Sequence, residues 1–528
     1  MIAGAWPRGG LTVLAAALAA SGLGAAAGPA AADCPVGAPT GFFKGTTLGG
    51  PHEVVDVALN LACADGRYVA QFFTSQSDFE AAEATGAPGQ VSLKFDARGR
   101  FGHAELKLAG DKLAGDFQNG MTHGGLKAER VGPAKPLDAL TPTIELTPAQ
   151  WREDLDAFAA EMPKRHANAF FHTPKSAFDA EIARLKGRLD RMNNDEVFVG
   201  LERIANAIGD GHTGVNFPAD RQLLPIQLQR YGKDVRVVAA GPGLEAALGA
   251  KVVRIGGLPI GEAWTRALTL TPQDELPELQ EGRAVTYLRS GLLLHGLGIA
   301  PDRTHAAFTV VTDEGRKLTL DVARPPADKA APLQPATAGG SGLAKQNPGK
   351  PFWCQELAER RTVYCAFHGY DTLIRDGREM AALLDKAHPA KLVIDMRDNG
   401  GGDNTIGYAA LVKPLTARAD LNQKGRLYVL VGALTFSAAM NNAAQFQDET
   451  QAILVGEQIG EKPNSYQEPR QFRLPNSHLI VRASSLYYKF REHGPNAVAP
   501  DKTIVPTWDD VKAGRDPALD WVLAQPAP

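Results

Sequence analysis

The sequence predicts a multidomain chain of α/β and β segments, built on a parallel-sheet βαβ core, and three observations carry that prediction. First, residues 391–455 alternate short apolar runs with helical stretches. Leu392-Val393-Ile394, Leu427-Tyr428-Val429-Leu430-Val431 and Ala452-Ile453-Leu454-Val455 read as buried strands, with helices over 405–413 and from Ser437 onward. Strand and helix in alternation build a parallel sheet with right-handed crossovers. Second, residues 33–132 carry short alternating runs such as Val91-Ser92-Leu93-Lys94-Phe95, punctuated by Asp65-Gly66 and Arg98-Gly99, the pattern of a small antiparallel β barrel or sandwich. Third, the chain has 528 residues, enough for several domains.

Composition narrows the partners. With 44% hydrophobic and 22% charged residues the chain is ordinary globular protein. A net charge of -3 gives no reason to expect nucleic acid or an acidic membrane surface. Residues 1–32 combine Arg8, an apolar stretch from Leu11 to Leu23 and Ala30-Ala31-Ala32, the pattern of a secretory signal peptide, too short for a spanning helix. An exported, periplasmic or secreted protein without a transmembrane segment is expected. Its four cysteines then favour two disulfides, with Cys34–Cys63 and Cys354–Cys365 as the sequence-local pairing among three connectivities. No zinc, calcium or cofactor motif is present, so neither metal nor cofactor is expected.

The remaining segments follow in order. Residues 133–146 are a Pro-containing linker. A helical segment spans 147–218, opening on Thr147-Pro148-Ala149-Gln150, an N-cap, a first-turn proline and a capping-box glutamine. Helices are expected over 151–165, 176–192 and 194–208. The last runs into Gly209-Asp210-Gly211-His212-Thr213-Gly214, which should display His212 on a tight, exposed turn. Residues 219–325 read as mostly β, with a hairpin turning at Asp313-Glu314-Gly315; 326–350 is a Pro/Ala/Gly/Ser-rich flexible loop. The core occupies 351–528, with a last strand over 479–483 and a last helix over 517–523.

The chemistry is expected past the carboxyl ends of the core strands, where open parallel sheets bind ligands. Gly400-Gly401-Gly402 follows the first strand, and three glycines let backbone N–H groups approach a substrate. Ser437 follows the second, at a helix N-terminus that offers the free N–H of Ala438. A hydroxyl beside two N–H sources is a nucleophile with an oxyanion hole. The plainer alternative is a helix-capping serine beside a glycine loop.

These residues resemble the S41 serine peptidases, the family of C-terminal (tail-specific) processing and tricorn-like proteases. Val393-Ile394-Asp395-Met396-Arg397-Asp398-Asn399-Gly400-Gly401-Gly402 is similar to the family's strand and glycine segment, and Thr435-Phe436-Ser437-Ala438-Ala439 to its nucleophile turn. Gly209-Asp210-Gly211-His212-Thr213, Gly456-Glu457 and Ala499-Pro500-Asp501 match as well. The resemblance covers 147 to the C-terminus and implies that 219–325 holds a divergent PDZ-like domain. It implies a serine peptidase acting on polypeptides, with Ser437 as nucleophile and the N–H groups of Gly401 or Gly402 and of Ala438 as oxyanion donors. Two bases are implied: His212 with Glu492 as its acid, as in the tricorn-like branch, or Lys462, 25 residues beyond Ser437, as in the tail-specific branch. Glu461 and Glu457 beside Lys462 would keep it protonated, which favours His212. Two other readings stand beside this one. A non-catalytic peptide or ligand binder could use the same scaffold; an α/β-hydrolase esterase is disfavoured because Ser437 lacks a Gly-x-Ser-x-Gly elbow.

Overall fold

The computed structural model describes residues 36–526 apart from 51–52, 65, 75–77, 82, 98–99, 120–121, 219–222, 327–328, 338–341 and 348. The expected signal peptide and Cys34 lie outside the described residues. Two compact units divide the chain. One runs up to Thr143 and includes Pro469–Ala483; the other comprises Ile144–Glu468 and Ser484–Pro528.

The first unit is a nine-stranded antiparallel sheet. Gly41–Gly50 pairs with Glu53–Ala64 on one side and Thr122–Gly132 on the other. The two edge strands, Asp78–Glu80 and Glu83–Ala87, are consecutive in the chain, so the sheet curls until it is nearly closed. Alternation fills its interior: Phe43, Leu59, Leu61, Phe72, Leu93, Phe95, Leu113 and Phe117 are buried on one face. Phe95 stacks on Phe117 with centroids 5.4 Å apart.

In the other unit three helices, Pro148–Arg165, Lys175–Lys186 and Asn194–Asn206, lead to the His212 turn. Capping boxes at Thr147/Gln150 and Asn193/Glu196 fix the starts of the first and third. The second helix is shorter than expected, since Gly187 ends it and a 3₁₀ turn, Leu189–Arg191, takes the rest.

The described residues of 219–325 are not mostly β, since helices interrupt the strands. A seven-stranded sheet, whose main path is Ile226–Tyr231, Asp234–Ala240, Lys251–Ile255, His305–Val311 and Lys317–Ala323, carries three helices: Ile260–Leu268, Pro277–Tyr287 and Gly291–Gly296. The first buries only Ala263 and Ala267, an i,i+4 pair on one face of the helix. In the loop over 326–350, Gln334–Pro335 adds a short strand against Ala239 and Ala240.

The core is a six-stranded sheet. Phe352–Leu357 pairs antiparallel with Thr362–Phe367; then Lys391–Asp395, Leu427–Val431, Ile453–Gly456 and Lys502–Thr503 follow in parallel. Every residue of Lys391–Asp395 and Leu427–Val431 is buried, as continuous apolar strands covered on both faces require. The helix expected over 405–413 is α over Asn404–Gly407, π over Tyr408–Val412 and α over Lys413–Thr416. Cys354 and Cys365 face each other in the antiparallel pair and form a disulfide. Cys63 is also disulfide-bonded. Among the described residues no helix is long and apolar enough to cross a membrane.

Candidate active site

Two parallel strands end side by side, and the turns that follow them are tied together. After Lys391–Asp395 the chain passes through buried Asn399, whose side chain donates to Phe367 O (3.1 Å) and accepts from Gly401 N–H (2.9 Å). After Leu427–Val431, the Thr435 hydroxyl donates to Met396 O (2.9 Å) and Phe436 N–H donates to Asn399 O (3.0 Å). These bonds lay the glycine loop over Ser437. Gly401 has φ +104°, and a Cβ there would lie 2.6 Å from Ser437 Cβ, so only glycine fits that close approach.

Ser437 precedes the helix Ala438–Glu449 at φ 56° and ψ −128°, strained for a residue with a side chain. Its hydroxyl does not cap the helix. Instead Oγ lies 3.0 Å from Nε2 of His212. The His212 ring stacks on Phe436, centroids 4.6 Å apart. Arg283 lies over the same phenyl ring, 5.2 Å from its centroid, and donates to Gly211 O (2.8 Å).

His212 is buried, not displayed on an exposed turn. Asp210 organises the turn from inside: Oδ1 accepts the N–H groups of His212 (3.1 Å) and Thr213 (2.8 Å) and the Ser484 hydroxyl (2.6 Å), and Oδ2 lies 2.8 Å from His166 Nε2. Burial opposes ionisation of Asp210. The hydrogen bond and charge of His166, with hydrogen bonds from Ser484 and Thr213, nevertheless bring its pKa below the ordinary value.

The acid beside the histidine is Glu461. Its Oε1 lies 3.4 Å from His212 Nδ1, and its Oε2 accepts the N–H of Ser437. One carboxyl therefore faces both the imidazole and the Ser437 backbone. Complete burial, reinforced by the charge of Glu275, pushes the Glu461 carboxyl well above its usual range. Glu275 is itself pushed up to about 7 by burial, against the hydrogen bonds it receives from Lys462 and Gly211 N–H.

The structure thus brings together Ser437, His212, Gly401 and Ala438, and leaves others apart. Lys462 turns its ammonium to Asp274 (3.0 Å), and Glu492 sits exposed, paired with Lys489 at 3.4 Å. Neither is hydrogen-bonded to Ser437 or His212 among the described residues. The N–H of Gly401 donates to Asn399 Oδ1. Gly402 packs on Tyr370, where a Cβ would lie 2.4 Å from the ring. Asp395 and Arg397 form a buried fork, Arg397 Nη2 lying 2.6 Å from Asp395 and 2.7 Å from Asp516. Sequence reasoning missed Glu461, Glu275 and Asp210. Glu461 was visible as the neighbour of Lys462 and was read as that lysine's partner.

The strands, the glycine turn and a serine held against a histidine define a chain of the S41-like peptidase fold. Among solved structures it is similar to mature CPAF complexed with lactacystin (TM-score 0.50, 13% identity, covering 71% of this chain and 97% of that one). It is also similar to mature CPAF (0.49, 13%, 71% and 96%) and, at a lower TM-score of 0.35, to the photosystem II D1 C-terminal processing protease (14%, 72% and 98%). No family model and no curated protein matches the chain.

Proposed function

We propose that this chain is an exported serine endopeptidase that cleaves polypeptides through an acyl-enzyme on Ser437. The observation that carries the reading is the 3.0 Å contact between Ser437 Oγ and His212 Nε2. His212 takes the hydroxyl proton as Ser437 attacks the peptide carbonyl, and returns it to the leaving amine; water then releases the acyl group. Ala438 N–H, at the first position of its helix, and Gly402 N–H are the proposed oxyanion donors. Glu461 holds the far side of the imidazole, and the positive charge arriving on His212 favours the ionised carboxylate that burial disfavours. The disulfide Cys354–Cys365 fits an oxidising compartment and supports export. The helix-bearing sheet at 219–325 is the proposed PDZ-like peptide-binding domain.

The test is labelling of the purified protein with a fluorophosphonate probe, beside Ser437→Ala, His212→Ala and Lys462→Ala. Labelling is expected in wild type and Lys462→Ala, and lost in the other two. Loss in Lys462→Ala with retention in His212→Ala would reverse the choice of base. Folded wild type that takes no label points to the non-catalytic binder.

A further inference from the structure

Three carboxyl groups are buried behind Ser437 and His212. Asp210 belongs to the His212 turn, and Glu461 faces the ring. Glu275 belongs to neither loop: it lies between the helices Ile260–Leu268 and Pro277–Tyr287. Its Oε1 accepts Gly211 N–H (2.9 Å), next to His212; its Oε2 accepts Lys462 N–H (2.9 Å), next to Glu461. The residues on either side repeat the pattern. Asp274 N–H donates to Gly209 O (3.0 Å), and Leu276 N–H donates to Gly460 O (3.1 Å). The segment is threaded between the loop of the base and the loop of the acid.

We propose that Glu275 is a positioning residue, one carboxylate clasping the His212 loop to the Glu461 loop so that imidazole and acid meet at the spacing Ser437 requires. This rests on the reading of Ser437, His212 and Glu461 given above. The choice of side chain follows from the donors. Two N–H groups converge from two loops, and a carboxylate offers an acceptor to each; a carboxamide has one oxygen, and its NH2 would confront the second N–H. Aspartate is shorter by one methylene and cannot span both.

The charge has a separate consequence. Glu275 faces Glu461 and Asp210, of its own sign, and Arg283; Lys462 contributes its N–H, while its ammonium turns to Asp274; His212 lies beyond Gly211. A negative Glu275 makes Glu461 harder to ionise. Removing that charge while keeping the shape should let Glu461 ionise at lower pH.

The experiment measures fluorophosphonate labelling of the full chain against probe concentration and pH, in wild type, Glu275→Gln and Glu275→Asp, with Ser437→Ala as control. Both Glu275 variants should lose roughly tenfold in the saturating labelling rate, with half-saturation unchanged, because the groups are misplaced and the probe site is intact. The acid limb should move to lower pH in Glu275→Gln and stay in place in Glu275→Asp. A wild-type saturating rate in either variant, or an unmoved limb in Glu275→Gln, overturns the proposal. If Glu275→Gln fails to melt cooperatively, Glu275→Asp carries the test through its rate. Label retained by Ser437→Ala sinks the underlying reading instead, and does so without any change at Glu275.

Discussion

Ser437 has a backbone that a glycine would adopt more readily, and this separates strain from chemistry. Ser437→Ala and Ser437→Gly both remove the hydroxyl, but only glycine relieves the positive φ. Ser437→Gly should therefore be the more stable, by about 1–2 kcal/mol in denaturant unfolding; equal stability would mean the strain is absent. Glu461→Gln keeps the volume and removes the charge that answers a protonated His212, so labelling should fall by about 10²- to 10⁴-fold. A rate within twofold of wild type would remove Glu461 from the mechanism. Glu275 also leaves a mark on stability. Its folded pKa of about 7 stands above the ordinary 4.5, so the folded state holds a proton the unfolded state releases. Its stabilising contribution is full below pH 4.5 and is lost as pH rises to about 7. Melting curves of Glu275→Gln should lack that part of the decline. At this scale the sequence showed Ser437 and His212, because glycines and a helix start mark turns. It did not show Glu461 or Glu275, since an isolated glutamate signals nothing until folding buries it.

Among the elements, the glycine loop makes the sharpest prediction. Gly401→Ala would place a methyl 2.6 Å from Ser437 Cβ, while the same change at Gly400 meets no atom within 4 Å. Gly401→Ala should cut labelling by about a hundredfold, and Gly400→Ala should leave it intact. Equal behaviour of the two would refute the close approach. The core strands were legible because a strand buried on both faces is written as an unbroken apolar run, as in Leu427–Val431. The helices at 260–296 were not: they are short, Ile260–Leu268, Pro277–Tyr287 and Gly291–Gly296, and they interrupt a run of strands. The π turn at Tyr408–Val412 has no sequence signature that we can identify.

Across the whole molecule, the nine-stranded unit was foreseen as a barrel or sandwich, since period-two alternation fixes which face is buried but not whether the edges meet. In the core, the Cys354–Cys365 disulfide closes the antiparallel edge pair across a sequence separation of 11. Replacing Cys354 and Cys365 together by serine should lower stability by about 2–3 kcal/mol; an unchanged melt in that double variant would show that the sheet alone holds that edge. The distance along the chain between Ser437 and His212 carries a further meaning. They stand 225 residues apart, and Glu461 comes later still. On the proposed mechanism, a partly folded chain therefore has a hydroxyl without a base, or a base without a hydroxyl, and would not cut its neighbours. On that reading folding is itself an arming step, and unfolding disarms the site.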